Sequence, residues 1–514
     1  MKTILLILIG AFLALALLPY FVARKEDMPP GTDLKSPDFS VSHAELLIDR
    51  TSRHPDTGES VKKHEIFEAA LKEIKDAETF ILADFFLWNP WKGEISPDAS
   101  MRNLSDELAE ALMAKRAASP DLPILVITDP INRIYGDHEP GFFKKLEEAG
   151  IPVVFTDLSQ LPDSNRLYAP HYQFWGHFIG AGNKFADWRI CPNPFKEEGE
   201  KLSFRQLARL LLFKANHRKV LITGRKDGRE RVLIGSFNPA DGSANHGNLA
   251  ALVEGPVARY AARSELAVAK WSLPDEKEDA AASQASRRAM RLIEARLDEF
   301  ASPDEKGGAN VPGEGEARAA WRSEGAVRET LIDLFEAADS STRVDVALFY
   351  LSDRKVIAAM KDAIRRGARF RILLDANKDA FGREKSGIPN RPVADELMQL
   401  ADEHSVEIRW AATAGEQFHP KALRLAGAGR DILFLGSSNW TRRNIGNNNL
   451  EANLLLRNTV GTNTRFDRYF ETVWENEDGL KSSLPYAAYA EEGWSLHWKK
   501  FLYRFQEWSG ASTF

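Results

Sequence analysis

Four side chains in the middle of this chain return, in the same order, near its end. His217, Lys219, Ser236 and Asn238 are matched by His419, Lys421, Ser437 and Asn439. The His-x-Lys triplets lie 202 residues apart (419−217), and the Gly-Ser-x-Asn quartets that follow lie 201 apart (436−235). Further on, Asn248-Leu-Ala250 echoes Asn449-Leu-Glu451, again 201 residues later. An imidazole, an ammonium, a hydroxyl and an amide in duplicate are what is needed to attack and hold a phosphodiester. One neutral imidazole can attack phosphorus and form a phosphohistidine. The second, protonated, can donate to the leaving alkoxide and then take a proton from water or an alcohol. Lys219, Lys421, Asn238, Asn439, Ser236 and Ser437 can hold the phosphate oxygens where charge concentrates. Two ammonium groups supply the positive charge a metal would otherwise bring, so neither a metal nor a cofactor is expected.

Elements must bring these residues together. Val220-Leu-Ile222 follows the first triplet and Ala422-Leu423 the second, and such short apolar runs ended by glycines read as buried strands. Side chains alternate along a strand, so the His and Lys of each triplet share a face, roughly 6–7 Å apart. Each half holds one such imidazole, and two require both halves at one interface. A lone His-x-Lys would read as a solvated strand edge, and a lone Gly235 or Gly436 as a turn glycine. The shared register of two copies argues against both.

The duplicated pattern resembles the phospholipase D superfamily, and within it the bacterial membrane-associated branch that includes cardiolipin synthases. The resemblance extends to Val344–Leu351, a helix carrying Ala363–Gly367, and Phe370–Asp375, with an N-terminal counterpart in Thr79–Leu87, Leu104–Met113 and Ile124–Asp129. It implies an α/β chain of two repeats, each a mostly parallel sheet with helices on both faces, with the active site between them. It also implies that His217 is the nucleophile, His419 the acid/base, and Glu451 the carboxylate that orients His217. Two departures stand out. Gly224 and Ala426 occupy positions where the family often has Asp. Ala250 stands opposite Glu451 in the repeat, leaving His419 without an acidic orienter; Asp227, Glu230 and Asp431 are the candidates to replace it.

The 514 residues include 44% hydrophobic side chains, enough for a sizeable core, and a net charge of −6 weighs against a dedicated nucleic-acid binder. The single Cys191 excludes an intrachain disulfide framework. The 21 residues from Thr3 to Ala23 carry no charge and are long enough to span a bilayer. Ala14-x-Ala16 lies inside that run, a poor context for signal cleavage, so the run reads as a retained single-pass anchor in a bacterial inner or plasma membrane. The expected organisation is an anchor at 1–25, a first repeat at 26–260, a helical and flexible linker at 261–325, a second repeat at 326–480 and an aromatic C-terminal helix at 481–514. That last helix, with Trp494, Trp498, Phe501, Phe505 and Trp508 at helical spacing, is expected to dock on the core, with interfacial membrane binding as the alternative. The aromatic stretch Tyr168–Phe185 could form a lid or buried loop packing.

The function expected is a membrane-anchored phosphodiesterase or phosphatidyltransferase acting on a phospholipid, with water or an alcohol as acceptor, as in cardiolipin synthesis. No nucleic acid is expected, and no oligomer is required because one chain carries both motifs. A nuclease or other phosphodiesterase is the enzymatic alternative, and an inactive phosphate-binding scaffold the non-enzymatic one.

Overall fold

The computed structural model describes residues 15–512 apart from 24–25, 93–100, 137, 139, 180–186, 194–200, 275–280, 300–312, 314, 381–382 and 428. Two large sheets organise the chain. In the first, Lys219–Gly224 runs antiparallel to Glu230–Gly235, which pairs in turn with Asn248–Glu254 and so with His43–Arg53. On the other side of Lys219–Gly224 lies Ile81–Phe85, followed by Ile124–Thr128 and Val153–Phe155 in parallel. The second sheet repeats the plan, with Lys421–Gly427 between Arg430–Gly436 and Arg343–Leu348, and Arg369–Leu374 and Val406–Ala411 continuing in parallel.

Each sheet is therefore mixed and mostly antiparallel, not mostly parallel. The cause is local. The strand after each His-x-Lys returns across a short turn, and a hairpin can only be antiparallel, whereas parallel neighbours need a crossover. Helices such as Leu104–Ala118 and Arg354–Arg365 supply those crossovers.

Helices pack on both faces of each sheet, and parts of the two inner faces also meet each other. The outer face of the first is covered by Phe67, Ala70, Leu108 and Leu112, packed on Leu221 and Leu233. That of the second is covered by Leu331, Val356 and Met360. The inner faces meet, joining Val220, Ile222 and Ile234 to Leu433, Leu435 and Leu454 in one core. Helices Pro256–Ser272 and Val460–Glu475 add Val257, Ala261, Phe466 and Phe470 to it.

Elements cross between the two halves of the chain. Phe39–Ser40 pairs with Arg318–Ser323 at the edge of the second sheet, so the beginning of the chain crosses to the second half. The interval 261–325 holds most of the buried helix Pro256–Ser272, helix Ala281–Glu299 and the strand Arg318–Ser323. The charged run 275–279 and residues 307–312 of the glycine-rich stretch lie outside the described residues. Ser483–Pro485 extends the second sheet before helix Gly493–Ser509. Of the expected anchor, residues 3–14 lie outside the described residues and 15–22 are helical; among the described residues no helix is long and apolar enough to cross a membrane.

Candidate active site

Main-chain bonds between the halves set the site. His217 N–H donates to Leu450 O at 2.9 Å and Leu450 N–H returns to Ala215 O at 3.0 Å. The mirror pair is His419 N–H to Gly247 O at 2.9 Å and Gly247 N–H to Gln417 O at 3.0 Å. Each histidine is thus fixed by the loop of the opposite repeat. A carboxylate caps the strand leading into each triplet: Asp129 accepts from Asn216 N–H at 2.7 Å, and Asp375 from Phe418 N–H at 2.9 Å.

The side chains keep the same near-twofold arrangement. Lys219 Nζ donates to His217 O and Lys421 Nζ to His419 O, both at 2.6 Å. Phe86 lies 4.6 Å from the His217 ring and Phe349 lies 5.0 Å from that of His419, centroid to centroid. The same two rings sit under the ammonium groups, at 4.9 Å for Lys219 and 5.1 Å for Lys421. His217, His419, Asn238 and Asn439 line one cavity of about 360 Å³ between the repeats, walled by Phe86, Tyr135, Phe213 and Tyr350.

Symmetry breaks at the groups holding the imidazoles. Glu451 Oε1 lies 2.7 Å from His217 Nδ1. Opposite His419, it is Asn248 Oδ1 that stands 3.1 Å from Nδ1. Asp227 pairs with Arg229, Glu230 with Arg259 and Asp431 with Arg424, so none of the three expected substitutes reaches His419. Asn248 escaped the sequence reading because the 201-residue echo is out of register. Gly235 pairs with Ala250, but Gly436 pairs with Asn453, and Ser236 N–H donates to Leu249 O where Ser437 N–H donates to Ala452 O. The loop after Asn439 is longer by two residues than the loop after Asn238, so the counterpart of Glu451 is Asn248 and that of Ala250 is Asn453. The signal available in the sequence was the twelve-residue step from Asn439 to Glu451, against ten from Asn238 to Asn248.

Ser236 and Ser437 are fully buried and donate to these orienting residues, Ser236 Oγ to Asn248 Oδ1 at 2.9 Å and Ser437 Oγ to Glu451 Oε2. Asn444 Nδ2 also donates to Glu451, and Glu451 N–H donates to Glu324 Oε1 at 3.1 Å. Beneath lies Arg218, wholly buried, 2.7 Å from Glu324 and 3.2 Å from Glu265. A third imidazole missed by the sequence reading, His246, sits 6.0 Å from His419 and lines the cavity; its Nδ1 accepts from Gln417 N–H at 3.3 Å.

Burial dominates the electrostatics. It pushes Lys219 down to about 7 and His217 down to about 4, the latter against the pull of Glu451. His419 and Lys421 are also held well below their ordinary values, by burial first and then by neighbouring cations. His246 is pushed down to about 3 by burial and Lys421. Burial disfavours the positive charges of His217, Lys219, His419 and Lys421, and a bound anion would favour them. Among the described residues, no group of three His, Cys, Asp or Glu side chains converges as metal ligands would.

Fold and site together define a duplicated α/β protein, two repeats sharing one two-histidine cavity. Residues 331–474 match the family model described as cardiolipin synthase, PLD-like domain, which bears out the resemblance to the phospholipase D superfamily. No curated protein matches the chain. Among solved structures, the phosphatidylserine synthase of Haemophilus influenzae Rd KW20 is similar over 92% of this chain and 96% of its own, at 11% identity and a TM-score of 0.54, which shows a common fold. NucT from Helicobacter pylori and Nuc, a phospholipase D family member from Salmonella typhimurium, align with 31% and 32% of this chain and 97% of their own. Their identities are 17% and 14%, with a TM-score of 0.25 each.

Proposed function

We propose that this chain is a phospholipase D-like phosphodiesterase or phosphatidyltransferase acting on a phospholipid at a membrane, to which residues 3–23 anchor it. The observation that carries the reading is the unequal support of two imidazoles facing one cavity. With Nδ1 of each ring engaged, Nε2 is the remaining nitrogen available for chemistry. When His217 Nε2 attacks phosphorus the ring becomes cationic, and the Glu451 carboxylate at Nδ1 stabilises that charge. His419 is held by an uncharged amide, so its imidazolium is a readier acid, suited to give its proton to a leaving alkoxide.

The His217 Nε2 to phosphorus bond forms, the phosphorus–oxygen bond to the headgroup alcohol breaks, and His419 protonates the departing oxygen. Water or an acceptor alcohol then attacks phosphorus, losing its proton to His419, and the phosphorus–nitrogen bond breaks. Lys219, Lys421, Asn238 and Asn439 hold the non-bridging oxygens, while Ser236 and Ser437 support the site from behind, through the residues that orient the histidines. The aromatic walls of the cavity favour a lipid over a sugar-phosphate chain, and the cardiolipin synthase description of the matching family model and the phosphatidylserine synthase fold support the same choice.

The test is to incubate purified protein with labelled phosphatidylglycerol, and separately with single-stranded DNA, in the presence of chelator. Phosphatidic acid or cardiolipin is the expected product. Cleavage of DNA alone would sink the lipid reading. His217→Ala and His419→Ala should each remove nearly all activity, because the pair acts as one unit.

A further inference from the structure

We propose that helix Gly493–Ser509 lies in the lipid–water interface of a bilayer, its aromatic stripe immersed, and holds the catalytic cavity against the membrane surface. Trp494, Trp498, Phe501, Phe505 and Trp508 stand at offsets of 4, 7, 11 and 14 from the first. At 3.6 residues per turn this confines them to a stripe about 80° wide. All five face outward, with exposures from 41% to 90%. Successive rings from Trp498 to Trp508 lie 5.6 to 6.4 Å apart, so the stripe is continuous.

The helix docks on the protein through its polar face. Tyr503 and Glu507 are buried; Arg354 donates to Tyr503 Oη at 2.6 Å, and Glu507 accepts from Ser352 Oγ at 2.7 Å and Arg442 N–H at 3.0 Å. Lys499, Lys500 and Arg504 pair with Glu491, Asp395 and Glu396. A helix with ion pairs inward and indoles outward is inverted relative to a surface helix in water, and apolar patches of this kind mark interaction sites.

Position selects the bilayer as the occupant. The helical residues 15–22 expose Leu15, Leu17, Leu18, Phe21 and Val22, and they end a run without charge that begins at Thr3. Tyr20 of that segment donates to Leu167 O at 3.0 Å, while Arg166 N–H donates to Ser509 O at 2.7 Å. Adjacent residues of one loop thus tie both apolar elements to the same side of the molecule. Arg443, which lines the catalytic cavity, donates to Gly510 O at 2.6 Å, so this side adjoins the site. Tryptophan and phenylalanine beside a polar face are the side chains that partition into headgroup regions.

The carboxylates that hold the basic side chains of the helix are shared, Glu396 with Arg354 and Lys361 and Glu491 with Arg391, so partitioning should depend on aromatic burial, with anionic lipid adding to it. The inference rests on the proposed lipid reaction for its purpose but is read without turnover. Full-length protein carrying His217→Ala is reconstituted in phosphatidylcholine vesicles, with and without phosphatidylglycerol, whose acyl chains are brominated to quench indole emission. Trp494→Phe, Trp498→Phe and Trp508→Phe together should remove most of the quenched emission in both vesicles. Unchanged quenching in the triple variant overturns the proposal. So does a detergent-solubilised dimer that Trp494→Ser with Phe501→Ser converts to monomer, because the stripe would then belong to a second copy. Failure of the lipid assay on unmodified protein leaves either result standing.

Discussion

At the residue scale, the account turns on two histidines in one shape of site with different supports. Asn248 fixes the ring of His419 without lending it charge, so Asn248→Ala should lower turnover about 10²-fold, at the lower end of what acid–base catalysis contributes. The His217–Glu451 contact would be left in place. The check is a pH–rate profile beside the single-point rate: a merely structural loss would lower all pH values equally, whereas a freed His419 ring should change the profile's shape. The depressed cations give a second expectation. Burial pushes Lys219 down to about 7, and a bound phosphate raises that value. Protons are then taken up on binding, so affinity for inorganic phosphate strengthens as pH falls toward 7 and levels off below it, as far as Lys219 governs it. Calorimetry in buffers of different ionisation heat reads this directly, and proton release at pH 8 would contradict it.

At the scale of elements, the strands bearing the motifs were legible because each His-x-Lys runs into an apolar segment closed by Gly224 or Gly427. Sheet direction was not legible. Alternating strands and helices resemble a parallel pattern, and only the short return from Gly224 to Glu230 shows that the catalytic strands form hairpins. The orienter of His419 was hidden by a two-residue difference in loop length, which a single sequence aligned to itself at constant offset cannot reveal. Arg218, the unremarked middle residue of the first triplet, holds Glu324 and Glu265 in a buried cluster that backs Glu451. Arg218→Met would leave the buried carboxylates Glu324, Glu265 and Asp84 without their shared cation and should cost about 3–5 kcal/mol in urea unfolding. Adding Glu324→Gln should return part of that loss. A cost near zero for Arg218→Met would show that the cluster contributes little to stability.

At the scale of the molecule, the duplication explains why one chain suffices. Each repeat lends the other a backbone bridge, Leu450 to His217 and Gly247 to His419, so neither half makes a complete site alone. The N-terminal strand Phe39–Ser40 crossing to the second sheet and the shared core make the same point in packing. Specific activity should therefore be independent of protein concentration across the range where the chain is monomeric. The uncharged first residues lead to the expectation of a membrane anchor, and the aromatics of the last helix to core docking, with interfacial membrane binding as the alternative; the structure docks that helix but turns its aromatics outward. Helical spacing defines a stripe but not which side of the protein it faces.

Rapid acid-free quenching of the enzyme with phospholipid labelled at the phosphate, followed by peptide mapping, tests whether His217 carries phosphorus between donor and acceptor. A base-stable, acid-labile adduct is expected on the peptide containing His217, absent from His217→Ala. Turnover of the same lipid with inversion at phosphorus and no adduct on either histidine would contradict it.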